Sequence, residues 1–304
     1  MDEDLTREVA MALLQAMATI GQAAVAGGPR AKAYLDADAI RIVDGKPQFH
    51  KDRFLAVLAD DLVLRGPMNP VLLLVRDNFE MNKRAIDSIF AQDIPATLVI
   101  VDNSVRDDTF NWALEQKIAV YPFRPQLGVS KGWNFGLAAL FKDGWEHVLV
   151  PNSDTILPPW FYRELLAREV DFVTGVSVES MEQIAHLPNE PQALVEAPDF
   201  SAFLIRREAW QKVGPFDERM KNYYSDNDWH IRAHRAGVPL WNAGLPFYHE
   251  RSSTLKNAPP REKRDLDLQS VADSEVFYSI YGCYPWQPEY AALFRKAETE
   301  RASL

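Results

Sequence analysis

His147-Val148-Leu149-Val150-Pro151-Asn152-Ser153-Asp154-Thr155 is the stretch on which the fold turns. Its apolar run is short and rich in β-branched residues, which predicts a buried strand, and it stops abruptly at Asn-Ser-Asp. Buried parallel strands present functional groups at their carboxyl ends, where the next loop begins. A carboxylate at that point is placed to hold a hard divalent cation over a phosphate. Asn, Ser, Asp and Pro also build ordinary solvated turns, so the surrounding sequence has to decide.

Upstream, short apolar runs alternate with segments of helical periodicity. Strands are expected at 71–75, 98–101 and 118–121, and helices at 80–92, 109–116 and, behind Gly128, at 130–141. Downstream, strands are expected at 171–176 and 200–205. A helix at 206–213 is stopped by Gly214-Pro215. A second helix at 229–235 follows Tyr223-Tyr224-Ser225-Asp226-Asn227-Asp228, and 238–242 reads as a late edge strand. Residues 180–198, with Pro188, Pro191 and Pro198 and little apolar periodicity, are expected to be a mobile loop. Strands alternating with helices imply an α/β fold with a mostly parallel sheet and crossover helices. Asp102 and Asp154 each fall just past a strand end, so both should face one crevice.

The flanks read differently. Leu5, Val9, Leu13, Ala16 and Ile20 share one face of an Ala-rich helix at 4–26 that ends at Gly27-Gly28-Pro29. That helix is expected to pack on the main domain or to pair the chain with a second copy. Its polar face lacks the Lys and Arg of a membrane-surface helix. Residues 40–49 alternate around Asp44-Gly45 as a small hairpin. A helix should follow at 52–64, and the breaker cluster at 65–70 marks a boundary. The chain therefore divides into an extension at 1–66, a main domain at 67–257 and a tail at 258–304. The tail is charged, then aromatic (Phe277, Tyr278, Tyr281, Tyr284, Trp286, Tyr290), and reads as core or as the wall of an acceptor site.

Bulk properties remove some functions. With a formal charge of −10, the chain lacks the basic footprint of a non-specific nucleic-acid binder. Cys283 is the single cysteine, which excludes an intrachain disulfide and a cysteine zinc cluster. Met1-Asp2-Glu3-Asp4 has the wrong sign for a signal peptide, and no apolar run reaches the ~18 residues of a membrane span. A cytoplasmic protein is expected.

Six segments, in order between about Val71 and Thr254, resemble the family 2 glycosyltransferases, which have the GT-A fold. They are the strand ending in Val101-Asp102-Asn103-Ser104; Gln126-Leu127-Gly128 with Asn134-Phe135-Gly136; Asn152-Ser153-Asp154 in the place of the metal-binding Asp-x-Asp; Val213-Gly214-Pro215-Phe216-Asp217-Glu218; Ser225-Asp226-Asn227-Asp228-Trp229; and Arg232 through Ala236-Gly237. The sequence departs from the family in three places. Val75-Arg76-Asp77-Asn78 replaces the usual end of the first strand, Asn152 replaces the first metal-motif Asp, and Ser225 replaces the Glu before the presumed base.

The resemblance implies a GT-A type sheet with a nucleotide-binding half and an acceptor half, and an inverting transfer from a UDP-, GDP- or dTDP-sugar. Val75, Asp77, Asp102, Asn103, Lys131, Asn134 and Asn152 would then serve the donor. Asp102 would accept hydrogen bonds from base or ribose, or else act as a turn or cap residue. Lys131 and Asn134, near a helix start where anions are favoured, would meet a phosphate, or Lys131 would be solvated. Asp154, with His249 after the last strand, would hold Mn²⁺ or Mg²⁺; a lone histidine can equally be structural. Asp226 would be the general base, with Asp228 its rival or a helix cap. Tyr224, Asp228 and Trp229 would face the acceptor, and Tyr223 could stack there too. The acceptor would be a glycan or a lipid-linked sugar, with a modified nucleobase ranked behind them. A catalytically inactive binding or assembly domain is the alternative that the missing metal-motif Asp keeps open.

Overall fold

The computed structural model describes residues 40–44, 46–50, 69–184, 188, 193–250 and 259–295. The expected helices at 4–26 and 52–64, and Arg251 to Thr254, lie outside them. The hairpin forms: β1 (Ile40–Val43) pairs antiparallel with β2 (Lys46–Phe49), closing between Val43 and Lys46. Asp44 takes φ 50°, the left-handed conformation that a two-residue hairpin turn demands.

The main body is mixed α/β, as expected. Its strands are β3 (Asn69–Val75), β4 (Ala96–Asp102), β5 (Ala119–Pro122), β6 (His147–Pro151), β7 (Thr155–Ile156), β8 (Phe172–Val178), β9 (Ala202–Arg206) and β10 (Trp241–His249). They form one sheet in the order β5-β4-β3-β6-β9-β8-β10-β7. The helices are α1 (Phe79–Phe90), α2 (Asp108–Glu115), α3 (Val129–Lys142), α4 (Phe161–Leu166), α5 (Arg207–Val213), α6 (Ser225–Arg235) and α7 (Pro260–Tyr281). No helix among the described residues is long and apolar enough to cross a membrane.

The chain runs outward from β3 to β4 to β5 and then returns to place β6 on the other side of β3. The connections of β3 and β6 therefore leave in opposite directions, and a crevice opens at their carboxyl ends. β9 runs antiparallel to both β6 and β8. Among the described residues of its connection to β8 the only helical turn is Met181–Ile184, and β9 enters from the end at which β8 leaves. The late strand, β10, runs on through Phe247-Tyr248-His249 and carries His249 to the crevice rim.

Both faces of the sheet are covered, which is why the strands read as continuous apolar runs. Val71, Leu73 and Val75 of β3 pack with Ile86, Ile89 and Phe161 on one face. Leu72 of β3 packs with Trp133, Phe203, Phe216 and Trp229 on the other. Gly132 and Gly136 let α3 lie directly on β3: a Cβ there would come within 2.6 Å of Leu74 and 2.3 Å of Leu72. The Asn-x-Gly spacing in α3 is thus a packing feature.

Candidate functional site

A cleft of about 730 Å³ opens at the carboxyl ends of β3, β6 and β10. Val75 ends β3 and Arg76 follows it, Asn103 follows β4, Asn152, Ser153 and Asp154 follow β6, and His249 ends β10. The opposite wall is Asp199 to Ser201 and residues 222–227, which include Asp226 in the first turn of α6. A second cleft of about 690 Å³ adjoins it, shares Arg76, Asn103, Asn222 and Leu266, and adds Val105, Gln126, Lys221 and Arg261.

Asp154 and His249 come together. The β6–β7 turn is closed by Thr155, whose N–H and hydroxyl both donate to the Asn152 carbonyl. β7 then pairs with the end of β10, opposing His249 to Thr155. The result sets His249 Nε2 3.2 Å from Asp154 Oδ1, with both side chains largely shielded. His249 Nδ1 is buried without a hydrogen-bond partner. A carboxylate and an imidazole this close could supply two ligands to the shell of a divalent cation. No cluster of three or more His, Cys, Asp or Glu that could hold a metal occurs among the described residues. Oxygens of a bound ligand would have to complete the shell.

Asp226 lines the same cleft from the other wall. Burial raises its carboxyl above the ordinary carboxylate range, and Asp199 adds to the rise; the Asn227 N–H, which donates at 2.9 Å, offsets part of it. A carboxyl that holds its proton more tightly is a stronger base when ionised. Asp199 was not foreseen. Burial pushes it up as well, but hydrogen bonds from the Ser177 and Ser201 hydroxyls, reinforced by their N–H groups at 3.0 Å, outweigh that and hold it below the usual range. Two cleft carboxyls are thereby pushed apart in acidity.

Several expected donor contacts occupy other posts. Asp102 is fully buried; its carboxylate accepts from Ser104 N–H at 3.0 Å and from Arg124 at 3.1 Å. It is part of the framework and does not line the cleft. Asp77 accepts the N–H groups of Val105 and Arg106 at 3.0–3.1 Å and holds that loop. Asn134 is a clamp between α3 and the 214–218 turn. Its side chain donates to the Phe216 carbonyl and accepts from the Phe216 N–H, both at 2.8 Å, and it donates to Glu218 at 2.9 Å.

The start of α3 is not open to a phosphate either. Val129 and Ser130 both direct their N–H groups at the Lys221 carbonyl, 2.8 and 3.2 Å away. Gly128, at φ 92°, is where this loop crosses: a Cβ would lie 2.8 Å from the Lys221 oxygen. Lys131, on the same helix, is not among the residues that line the cleft. Asn103 combines both roles. It lines both clefts while its side-chain oxygen accepts the Leu127 N–H at 2.6 Å.

On the acceptor side, Tyr223 and Tyr224 lie in the cleft lining, and Asp228 and Trp229 do not. Trp229 is fully buried, with its ring stacked 5.5 Å from Phe216 and its Nε1 donating to the Gly214 carbonyl at 2.8 Å. It belongs to the core. Asp228 is also buried, held by Arg232 at 2.8 Å and by the Tyr281 hydroxyl at 2.7 Å. Those bonds tie up its carboxylate and remove it as a rival base. The helix containing it begins at Ser225, four residues earlier than periodicity suggested, which puts Asp226 and Asp228 on different faces of its first turn.

Arg76 is the cation that sequence reasoning passed over. It lines both clefts and pairs with Glu262 of α7 at 2.8 Å. Its place directly after β3 was the available signal. His230, one turn beyond Asp226, also lines the cleft, and burial lowers its imidazole to about 4, with His234 contributing.

No family model matches the chain. Over 137 residues, 40% of its length, it is 24% identical to the uncharacterised proteins Rv1525 of Mycobacterium tuberculosis and Mb1552 of Mycobacterium bovis. The match spans 52% of those proteins, so it extends over about half the length of these curated relatives. Among solved structures, the chain resembles Staphylococcus aureus TarS in complex with UDP (15% identity, TM-score 0.47, 76% of each chain). It also resembles glucosyl-3-phosphoglycerate synthase from Mycobacterium tuberculosis with Mn²⁺, UDP and glucosyl-3-phosphoglycerate (19%, 0.48, 78% of this chain and 86% of that one). A third is the mannosyltransferase PcManGT from Pyrobaculum calidifontis with GDP-Man and Mn²⁺ (16%, 0.42, 76% and 79%). Likeness at this level concerns the course of the backbone; the ligands named are those of the other proteins.

Proposed function

We propose that this protein is an inverting glycosyltransferase of the GT-A type, related to family 2, that moves a sugar from a nucleotide-sugar donor to an acceptor hydroxyl. One observation carries the reading. The Asp154–His249 pair, from the ends of β6 and β10, and Asp226, from the first turn of α6, line one cleft. Group transfer needs that division: an electrophilic side for the leaving diphosphate and a basic side for the attacking hydroxyl.

In this reading Asp154 and His249 hold Mn²⁺ or Mg²⁺ together with the donor diphosphate. The bound ion would supply Lewis-acid stabilisation of the leaving group. Arg76 meets the diphosphate from the end of β3, and the nucleoside extends into the second cleft past Asn103 and Gln126. The acceptor enters on the Tyr223–Tyr224 side. Asp226 accepts the proton of its hydroxyl as the oxygen attacks the anomeric carbon, and a single displacement inverts that centre.

The test is turnover of a panel of nucleotide sugars (UDP-glucose, UDP-N-acetylglucosamine, GDP-mannose, dTDP-rhamnose) with and without Mn²⁺, with water as stand-in acceptor. Turnover of one donor, stimulated by Mn²⁺, is expected. Tight nucleotide binding without turnover of any donor would instead indicate the binding-domain alternative.

A further inference from the structure

Four side chains on one face of α7 meet the loop that leads to Asp226 or the first turn of α6 that contains it. They are Ser270, Asp273, Phe277 and Tyr281, at the spacing that brings residues of a helix to one side. Asp273 is fully buried, and its carboxylate accepts three consecutive backbone N–H groups, from Lys221, Asn222 and Tyr223, at 2.9, 2.8 and 3.0 Å. Gln269 donates to the same carboxylate at 2.8 Å. The next residue, Tyr224, has φ 65°, a left-handed conformation that a tyrosine adopts only under constraint. Its hydroxyl lies 3.3 Å from that of Ser270 and its ring packs beside Phe277. Two residues later comes Asp226, and beyond it Asp228 receives the Tyr281 hydroxyl.

The backbone on both sides of Asp226 is therefore held by the C-terminal helix, and Asp226 itself lines the cleft. We infer that Asp273 is a positioning residue for the general base, and that α7 is a working part of the catalytic site. The inference rests on Asp226 being the base, as proposed above. Three N–H groups pointing at one carboxylate leave the 221–223 backbone a single arrangement. Without it, the strained Tyr224 relaxes and Asp226 loses its line to the attacking hydroxyl. A displacement of about 1 Å at a reacting group is enough for roughly a hundredfold loss of rate. The proposed metal and diphosphate contacts at Asp154, His249 and Arg76 lie outside this loop, whereas Lys221 and Asn222 also border the second cleft.

The experiment uses the full chain and the donor it turns over, with Asp273→Asn as the main variant. Its amide must turn a donor toward at least one of the three N–H groups. Gln269→Ala, which only loosens the carboxylate, serves as a milder second variant. Three quantities are measured: amide hydrogen exchange at 221–223 against the β3 core, kcat, and nucleotide affinity in the presence of Mn²⁺. Expected are loss of exchange protection confined to the loop, a fall in kcat of about ten- to a hundredfold, a smaller change in nucleotide Kd, because Lys221 and Asn222 also border the second cleft, and a milder change of the same kind in Gln269→Ala, whose side chain borders that cleft too. A loosened loop with kcat within twofold of the unaltered protein overturns the inference and makes Asp273 purely structural. A parallel loss of kcat, affinity and core protection overturns it too, because the variant is then simply unfolding. If the unaltered chain turns over no donor, the transfer reading itself fails, a result distinct from active protein indifferent to Asp273.

Discussion

Replacing Asn134 by Ala separates the two roles open to that residue. The structure makes it a clamp: Asn134 is 6% exposed and pairs with both the N–H and the C=O of Phe216, which is 1% exposed. Removing the amide leaves two buried backbone groups unpartnered, at about 1–3 kcal/mol each. The third bond, to the exposed Glu218, adds little. Water entering the small void recovers part of the loss, so the net cost should be about 2–4 kcal/mol. That is a large share of the ~5–15 kcal/mol of a typical native protein. Urea unfolding followed by far-ultraviolet circular dichroism and tryptophan fluorescence measures it, with the midpoint falling and the slope m unchanged. UDP and GDP affinities, measured well below the transition, should stay within about threefold. A stability change under about 0.5 kcal/mol, or an intact fold with nucleotide binding abolished, would refute the clamp and restore the phosphate role.

Asp226→Asn should lower turnover by at least about a hundredfold and also raise the melting temperature. Burial raises the folded-state pKa of Asp226, so its contribution to stability is fully present at low pH and is lost as pH rises through that value. At neutral pH the ionised group is a burden that Asn lacks, and a melting temperature that falls instead contradicts this. His249→Ala should weaken Mn²⁺-dependent nucleotide binding by about tenfold or more while leaving metal-free binding alone; equal loss under both conditions would show that His249 is only structural. His230 works with the opposite sign to Asp226. Its pKa is depressed to about 4, so stability is present above the unfolded-state value of about 6.5 and is lost, by up to about 3 kcal/mol, as pH falls from there toward 4. His230→Gln should flatten that part of the stability–pH curve, and an unchanged slope would mean other groups set it.

The sheet was legible because its strands are buried on both faces and therefore appear as uninterrupted apolar runs such as Leu72-Leu73-Leu74. Direction was less so: β9 looks like any other strand, and nothing in its apolar run tells that it lies antiparallel to β6 and β8. Asp154 could be placed from the end of the β6 run, but its pairing with His249 rests on the family resemblance alone, since the last apolar run reads as stopping at Asn242 whereas β10 extends to His249. Asp102 and Asn134 could not be assigned from sequence, since a residue beside a ligand and one that braces the ligand's loop share the same neighbourhood. What separates them here is the partner, Arg124 for Asp102 and the Phe216 backbone for Asn134, in each case more than twenty residues away. Trp229 failed for a related reason: an aromatic ring next to an acid reads equally as a stacking wall or as core. The Asp273 contact left no local mark, because its meaning depends on α7 folding back over residues 221–223.

The loss of the α3 terminus as an anion site bears on how a diphosphate could be received at all. A helix start ordinarily offers free N–H groups and a favourable dipole. Here the Lys221 carbonyl takes the first two N–H groups of α3, and Ser130 Oγ is engaged with the Met220 carbonyl. Arg76, the one Arg or Lys in the main cleft lining, is paired with Glu262. The other wall carries two carboxyls, Asp199 and Asp226. A leaving diphosphate in this cleft would thus meet more negative than positive charge from the protein alone. The proposed transfer consequently depends on a divalent cation at Asp154 and His249 more heavily than it would in a cleft with an open helix terminus. The Arg76–Glu262 pair gives that dependence a second element, because freeing Arg76 for the donor means parting it from α7, the helix that also holds the loop of Asp226.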